Sequence, residues 1–372
     1  MRVLITNNRL DFRGGAESFV GDLARGLQAR GHRVMAYSSE PGQTQRTLER
    51  AGIPVTTDPS GLDFRPDIIH AQHHMDAMTA LASLPGVPAV YHCHGAVWRE
   101  NPPAHPRILR YLAMSETLRE RMMIEGNIPG RDVEVVLNSV DLSRFREIRA
   151  ASERPSGVLF YNRYHRPDSV VVAAAREAAE SLGLGFETLG YHFGKVTDQP
   201  EVVLPQYDIV MASGRSAIDA MACGCAVVVL GRSSCTEMVR PANFDRWRAV
   251  NFSAAANLPP PKAEAIAAEL ARFQPDDVRE VTRRIRDEAD SNRMVDRLVE
   301  IYHEVIQRHR DQPPDEAAEM RAMANYLRQL VPMLKLAEEA QWSQDFSLPK
   351  TLALRDLQNH LRRFLLEMEK FP

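Results

Sequence analysis

Residues 207–231 read YDIVMASGRSAIDAMACGCAVVVLG, and the fold turns on how they are read. Residues 208–212 are a short apolar run with the composition of a strand buried on both faces. Ser213, Gly214, Arg215 and Ser216 make a small polar turn. Residues 217–223 have helical composition, and Gly224 stands where a helix-terminating glycine belongs. A second apolar strand, residues 226–230, follows at once. A helix that starts just after Gly214 directs unpaired backbone N–H groups and a positive dipole end into the turn. Gly214 lets an anion approach the backbone, Ser213 and Ser216 offer hydroxyls, and Arg215 adds a fixed charge; together these suit a phosphate. Asp219, one turn further on, is placed to accept hydrogen bonds from a ribose diol. The plainer alternative is a serine-capped helix start, with Arg215 in solvent and Asp219 paired at the surface.

The same alternation runs outward in both directions. Residues 2–6 (RVLIT) read as a buried strand, and Gly14 and Gly15 as a tight turn. Phe19, Val20, Leu23 and Leu27 then recur at helical spacing before a strand at residues 33–37, which completes a βαβ unit. Strands at residues 66–70 and 88–91 are followed by AQHHMD and HCHGAVW. His70, His73, His74, His92 and His94 are therefore expected at strand C-terminal ends, the edge where open α/β sheets bind ligands. A metal cluster is disfavoured, since no H-x-x-x-H helix or carboxylate pattern accompanies them, and a histidine lining a polar cleft is expected instead. Residues 110–114 form a short strand, Ser115 caps a helix with Leu118, Met122 and Met123 inward, and residues 132–137 form another strand. Residues 146–156 lose periodicity and read as a linker. A strand at 157–161, a helix at 169–182 and a strand at 186–190 then restart the pattern and lead into the opening stretch. Two successive doubly wound α/β halves are the simplest architecture.

Composition narrows the function. With 372 residues there is room for two domains and an appendage, and a formal net charge of −3 gives no electrostatic case for nucleic-acid binding. Cys93, Cys223, Cys225 and Cys235 lack metal-ligand spacing and read as small apolar residues in a reducing compartment. The first residues read as a strand rather than a signal peptide, and no run of about 20 apolar residues is present to span a membrane.

Several motifs, in order, resemble a known family. RGGAE at residues 13–17, VPAVYHCHG at 87–95, the segment ending NSVDLSRF at 138–145, YNR at 161–163 and IDAMACGCAVVV at 218–229 resemble the ordered motifs of GT-B-fold glycosyltransferases of the retaining group 1, family 4-like type. The resemblance covers roughly residues 1–310. Asn138, Val140, Asp141 and Phe145 are in register with the family's N-G-V-D-x-x-x-F, with Ser139 in place of the glycine. The family's paired glutamates are represented by Asp219 at the second position and Met211 at the first, and the lysine expected after YNR is replaced within NRYHRPDS, where His165 or Arg166 is the nearest stand-in.

The resemblance implies two Rossmann-like domains facing a cleft, residues 1–146 on the acceptor side and 157–310 on the nucleotide-sugar side, with the last helix packing back on the first domain. It implies a metal-independent, retaining hexosyltransferase that needs no cofactor beyond its nucleotide-diphosphate sugar. His94 and Arg163 would be catalytic; Gly14, Gly15, Arg163, Ser213, Gly214, Arg215, Ser216 and Asp219 would bind the donor; Glu17 and His73 would lie on the acceptor side. The acceptor would be a small molecule or glycan in glycan or secondary-metabolite biosynthesis, and the location cytoplasmic. The alternative is a catalytically weak nucleotide-binding or partner-docking protein of the same fold. Residues 311–372 lie outside the resemblance and read as two amphipathic helices, about 315–341 and 351–369, the first interrupted by Pro332. They would serve a homo-oligomer or a protein partner, or pack on the rest of the chain. Their mixed charge argues against a basic membrane helix, though peripheral membrane contact stays open.

Overall fold

The computed structural model describes residues 1–10, 14–147, 152–197, 199–231, 234–254 and 258–345. Residues 1–102 and 107–313 form one compact unit; residues 103–106 and the section from 314 onward form a second.

The first half of the large unit runs β1 (Arg2–Thr6), α1 (Gly15–Ala29), β2 (Arg33–Tyr37), α2 (Gln43–Arg50), β3 (Val55–Thr56), β4 (Ile68–Ala71), α3 (His74–Ser83), β5 (Ala89–Cys93), β6 (Ile108–Ala113), α4 (Glu116–Ile124) and β7 (Val133–Val135). Among the described residues its strands form a sheet of order β3-β2-β1-β4-β5-β6-β7, every pair parallel. The strand order reverses between β1 and β4, and such a switch point opens a crevice at the strand C-terminal ends. Thr6 Oγ1 and Gln72 close the base of this crevice, the hydroxyl donating to Gln72 O at 2.8 Å and accepting from Gln72 N–H at 2.9 Å. Ser115 caps α4 as expected, accepting from Leu118 N–H at 3.2 Å.

The second half runs β8 (Gly157–Tyr161), α5 (Val170–Ser181), β9 (Gly185–Leu189), α6 (Pro200–Val203), β10 (Ile209–Ala212), α7 (Arg215–Ala222), β11 (Ala226–Leu230), β12 (Cys235–Met238), α8 (Phe244–Ala249), α9 (Ala263–Leu270), α10 (Pro275–Glu288) and α11 (Ser291–Asp311). Its sheet order is β12-β11-β10-β8-β9, with the switch point between β8 and β10. All pairs are parallel except β11–β12, an antiparallel edge absent from the sequence reading. The fold is thus the mixed α/β architecture of two doubly wound halves, with a helical section after them.

The chain crosses between the halves twice, and the two crossings are hydrogen-bonded to each other. Val140 N–H donates to Ala289 O at 2.8 Å and Ser291 N–H donates to Val140 O at 3.0 Å. Val140 and Phe145 are buried with Ile218, Val281 and Ile285 of the second half. Going the other way, α11 returns to the first half, where Val295, Leu298, Ile301 and Tyr302 share one core with Val3, Ile5, Leu23 and Val90.

The helical section contains α12 (Glu316–Asp345), a single helix that continues through Pro332 rather than stopping there. Met320, Leu327, Val331 and Leu334 are exposed along it. The second expected helix, 351–369, lies outside the described residues. Among the described residues no helix is long and apolar enough to cross a membrane.

Because Ile301 is fully buried in the shared core, Ile301→Ala should lower stability by about 2–5 kcal/mol. Urea unfolding followed by circular dichroism measures this; a loss below about 1 kcal/mol would show that α11 is not part of the first half's core.

Candidate functional site

At the second half's switch point, β8 and β10 lie side by side and end in Arg163 and in the turn Ser213–Gly214. The Arg163 loop is shaped by Asn162, whose Oδ1 accepts from Tyr164 N–H at 2.7 Å and from His165 N–H at 3.2 Å. The Arg163 guanidinium lies 4.8 Å from the Tyr164 ring centroid. Gly214 precedes α7 with φ 58° and ψ −133°, a conformation that excludes a side chain, and its N–H donates to Phe252 O at 3.0 Å. Ser213, Arg215 and Ser216 are half-buried around this helix start, whose first N–H groups have no helical partner.

At the first half's switch point the key residue is Gly14, which precedes α1. A Cβ at Gly14 would fall on Nη1 of Arg163 and on Oε2 of Glu17. Glycine there is therefore a close-approach requirement: the second half's guanidinium rests on the first half's helix start. Gly14, Glu17 and Arg163, named separately from the sequence, meet at one point. A Cβ on Gly15 would meet nothing, so the second glycine has no such steric role. Arg13, which opens the RGGAE motif, lies outside the described residues.

One turn deeper, α1 and α7 meet through charge. Arg215 is ion-paired to Asp22 and has its Nε 3.9 Å from Asp219 Oδ1. Asp22 also binds Arg25. Burial opposes the charge on Arg215, but the Asp22 and Asp219 carboxylates outweigh it and raise its pKa. Burial likewise opposes ionisation of Asp22, and Arg215 with Arg25 outweighs it, holding the carboxyl below its usual range. Both readings of this turn are modified. Arg215 is neither in solvent nor an unmatched cation, because two carboxylates balance it. Asp219 is paired, yet buried rather than at the surface.

The histidines divide into two groups. His70 lies within β4, and His92 lies within β5 rather than just beyond it; both are fully buried beneath the crevice. The rings of His92 and His94 are 4.3 Å apart, and Phe19 of α1 packs on His94 at 4.7 Å. Burial lowers the His70 pKa to about 3, and burial with neighbouring imidazoles pushes His92 and His94 well below 6.5, so all three are neutral near neutrality. Tyr302, whose own pKa burial raises well above 10, keeps its proton, and its hydroxyl is hydrogen-bonded to His70 Nδ1 at 2.6 Å. His73 and His74 instead open α3. His73 has φ 56° and ψ 115°, rarely adopted by residues with a Cβ, and is held on both ring nitrogens. Nδ1 accepts from Asn8 N–H at 3.2 Å, so Nε2 carries the proton and donates to Glu100 Oε1 at 3.1 Å. Glu100 Oε2 accepts from His94 N–H at 3.0 Å. Burial opposes ionisation of Glu100, but the hydrogen bonds from His73 and from the His94 N–H outweigh it and lower its pKa.

Sequence reasoning passed over Asp22, Glu100 and Asn251. Asn251, at φ 51°, ties the halves together: Oδ1 accepts from Asn138 N–H at 3.0 Å and Nδ2 donates to Met114 O. An acidic residue on the otherwise apolar face of α1 was the available signal for Asp22. Glu100 and Asn251 had none, since their partners are remote in sequence.

This geometry can be compared with known proteins. Residues 13–144 match the family model described as Glycosyltransferase Family 4. No curated protein matches the chain. Solved GT-B glycosyltransferases share the fold. HepE from Anabaena, solved with UDP, aligns at TM-score 0.61 and 14% identity over 82% of this chain and 100% of its own. A glycosyltransferase from Rickettsia africae aligns at TM-score 0.59 and 15% identity over 82% of this chain and 98% of its own. AviGT4, a glycosyltransferase involved in avilamycin A biosynthesis, aligns at TM-score 0.51 and 16% identity over 82% and 98%.

The buried histidines set a pH dependence. Their folded pKa values lie below the unfolded value of 6.5, so the unfolded chain binds more protons and stability falls as pH drops below 6.5. His70→Gln should flatten the decline between about pH 7 and about pH 5, above the range where Asp22 and Glu100 titrate. Urea midpoints across that range test this, and identical slopes in variant and parent would count against it.

Proposed function

We propose that the protein is a glycosyltransferase that moves a sugar from a nucleoside-diphosphate sugar to a small-molecule or glycan acceptor. One observation carries the reading: Arg163 sits at one switch point, against the glycine helix start of the other, with the Gly214 helix start on the neighbouring strand. Breaking the bond to the sugar leaves negative charge on the departing diphosphate. A fixed guanidinium and oriented N–H groups stabilise that charge without reorganising as it forms. In this reading Arg163 and the N–H groups of Arg215 and Ser216 hold the diphosphate, with hydroxyls from Ser213 and Ser216; the Gly214 N–H is already committed to Phe252 O. Gly14 and Gly15 give the backbone room, and Asp219 accepts from the ribose. Arg215 orients Asp219 and joins α7 to α1 rather than serving as the main phosphate cation. His94, neutral beside Phe19, faces the sugar, and Glu17 and His73 lie towards the acceptor. The family match at residues 13–144 and the UDP and UDP-glucose complexes of Anabaena HepE support uridine nucleotides as the first donors to test. Transfer with retention, with charge compensation from the chain's own groups, is the stereochemical form of the proposal. Its free cysteines support a cytoplasmic location.

Arg163→Ala should weaken UDP binding by roughly ten- to a hundredfold, the worth of charge-assisted hydrogen bonds, while uridine binding changes little. Isothermal calorimetry separates the two, and equal losses for both ligands would reject the assignment.

The helical section is proposed to serve assembly rather than chemistry, because its exposed apolar residues need cover and the site residues all precede it. A chain ending at Pro313 should keep UDP affinity while its mass in light scattering falls to a smaller oligomer, or it should aggregate. Unchanged mass with lost UDP binding would place the section in the active site.

A further inference from the structure

We propose that Trp98, with Val97, forms an acceptor subsite that takes a ring with an apolar C–H or aryl face, such as a glycoside, by stacking on the indole. The inference rests on the glycosyl-transfer reading above. Trp98 is 41% exposed and Val97 46%. Their loop is joined to the start of α3 by the edge contact of Trp98 with His74 at 4.4 Å and 84°.

Val97 and Trp98 are adjacent exposed apolar side chains on this loop, and nothing in the loop's own hydrogen bonding needs them. The loop is fixed from beneath. Glu100 N–H donates to Val97 O at 2.9 Å and Asn101 N–H to Trp98 O at 3.0 Å, forming a tight turn. Tyr91 OH lies 3.1 Å from Glu100 O and 3.2 Å from Asn101 O. The buried Glu100 carboxylate then ties the turn to the His94 N–H and to His73. Trp98 is thereby held at a set position relative to both histidines of the candidate site. A face held this way loses little conformational entropy on binding, as a stacking platform requires. The chemistry offered is a flat apolar face with polar groups at one edge, which matches a pyranose or an aryl glycoside.

The test uses the full chain and two probes, p-nitrophenyl β-glucoside and methyl β-glucoside, with saturation-transfer NMR for the glycosides and calorimetry for UDP. Parent protein should bind at least the aryl glycoside. Trp98→Ala should weaken that binding about fivefold or more, Trp98→Phe should keep it within about twofold, and UDP affinity should be unchanged in both. Loss for both probes assigns a pyranose face, and loss for the aryl probe alone assigns an aryl aglycone. Val97→Asp, which places a charge on the same face, should also weaken binding and carries the test if Trp98→Ala fails to fold. Glycoside binding that survives Trp98→Ala and Val97→Asp, or no binding of either probe by the parent, overturns the subsite. Failure of UDP to bind instead removes the glycosyl-transfer reading, independently of the glycoside result.

Discussion

A guanidinium buried between two carboxylates holds α7 of one half against α1 of the other. Arg215 and Asp22 are both withdrawn from water, and each is tolerable only because the other is present. Removing one member of such a pair leaves an uncompensated buried charge, at roughly 3–5 kcal/mol. The pair joins α7 of one half to α1 of the other. With those helices locked, the glycine start of α1 comes to lie under Arg163. The bond between Asn251 and Met114 and the Arg248 donation to Asn138 O at 2.9 Å add further ties between the halves. Small rotations between the halves would therefore be resisted by charge matching as well as by packing.

The polar residues of the two crevices serve different purposes. Asn162, Thr6 and Gln72 satisfy backbone groups and shape loops. Glu100 does more, because one buried carboxylate fixes a histidine tautomer, a backbone amide and an aromatic-bearing turn together. His73 needs that support, since its backbone sits where few residues with a Cβ are found. Strain of this kind persists only where surrounding bonds over-determine it, and here Asn8 and Glu100 supply them.

The opening stretch was legible because it is local. Its strand, turn, helix and strand appear as β10, Gly214, α7 and β11, with boundaries within a few residues of those read from period and glycine placement. The paired glycines before α1 and the Ser115 cap were legible for the same reason. The β12 edge was missed because an antiparallel return has no signature separate from a short polar-apolar run. Asp22 and Arg215 are 193 residues apart, and no periodicity relates them. His70 was read as the last residue of its strand and His92 as lying just beyond its own; both strands extend further and enclose them. Pro332 was expected to interrupt its helix. Proline removes one hydrogen bond and crowds the preceding turn, but it does not prohibit helix on both sides, and α12 continues through it.

The return of α11 into the first half's core has a consequence for how the chain is made. The first sheet is fully synthesised once β7 has emerged, yet the apolar surface that Leu298, Ile301 and Tyr302 cover is still bare. Roughly 150 further residues must follow before α11 appears, which at translation rates of about 5–20 residues per second is on the order of ten seconds. During that interval the nascent first half exposes a hydrophobic face, and the second half can fold before the first is closed. The first half's core can therefore be completed only after the second half has been synthesised, and until then its exposed face is a natural place for a chaperone to hold the growing chain.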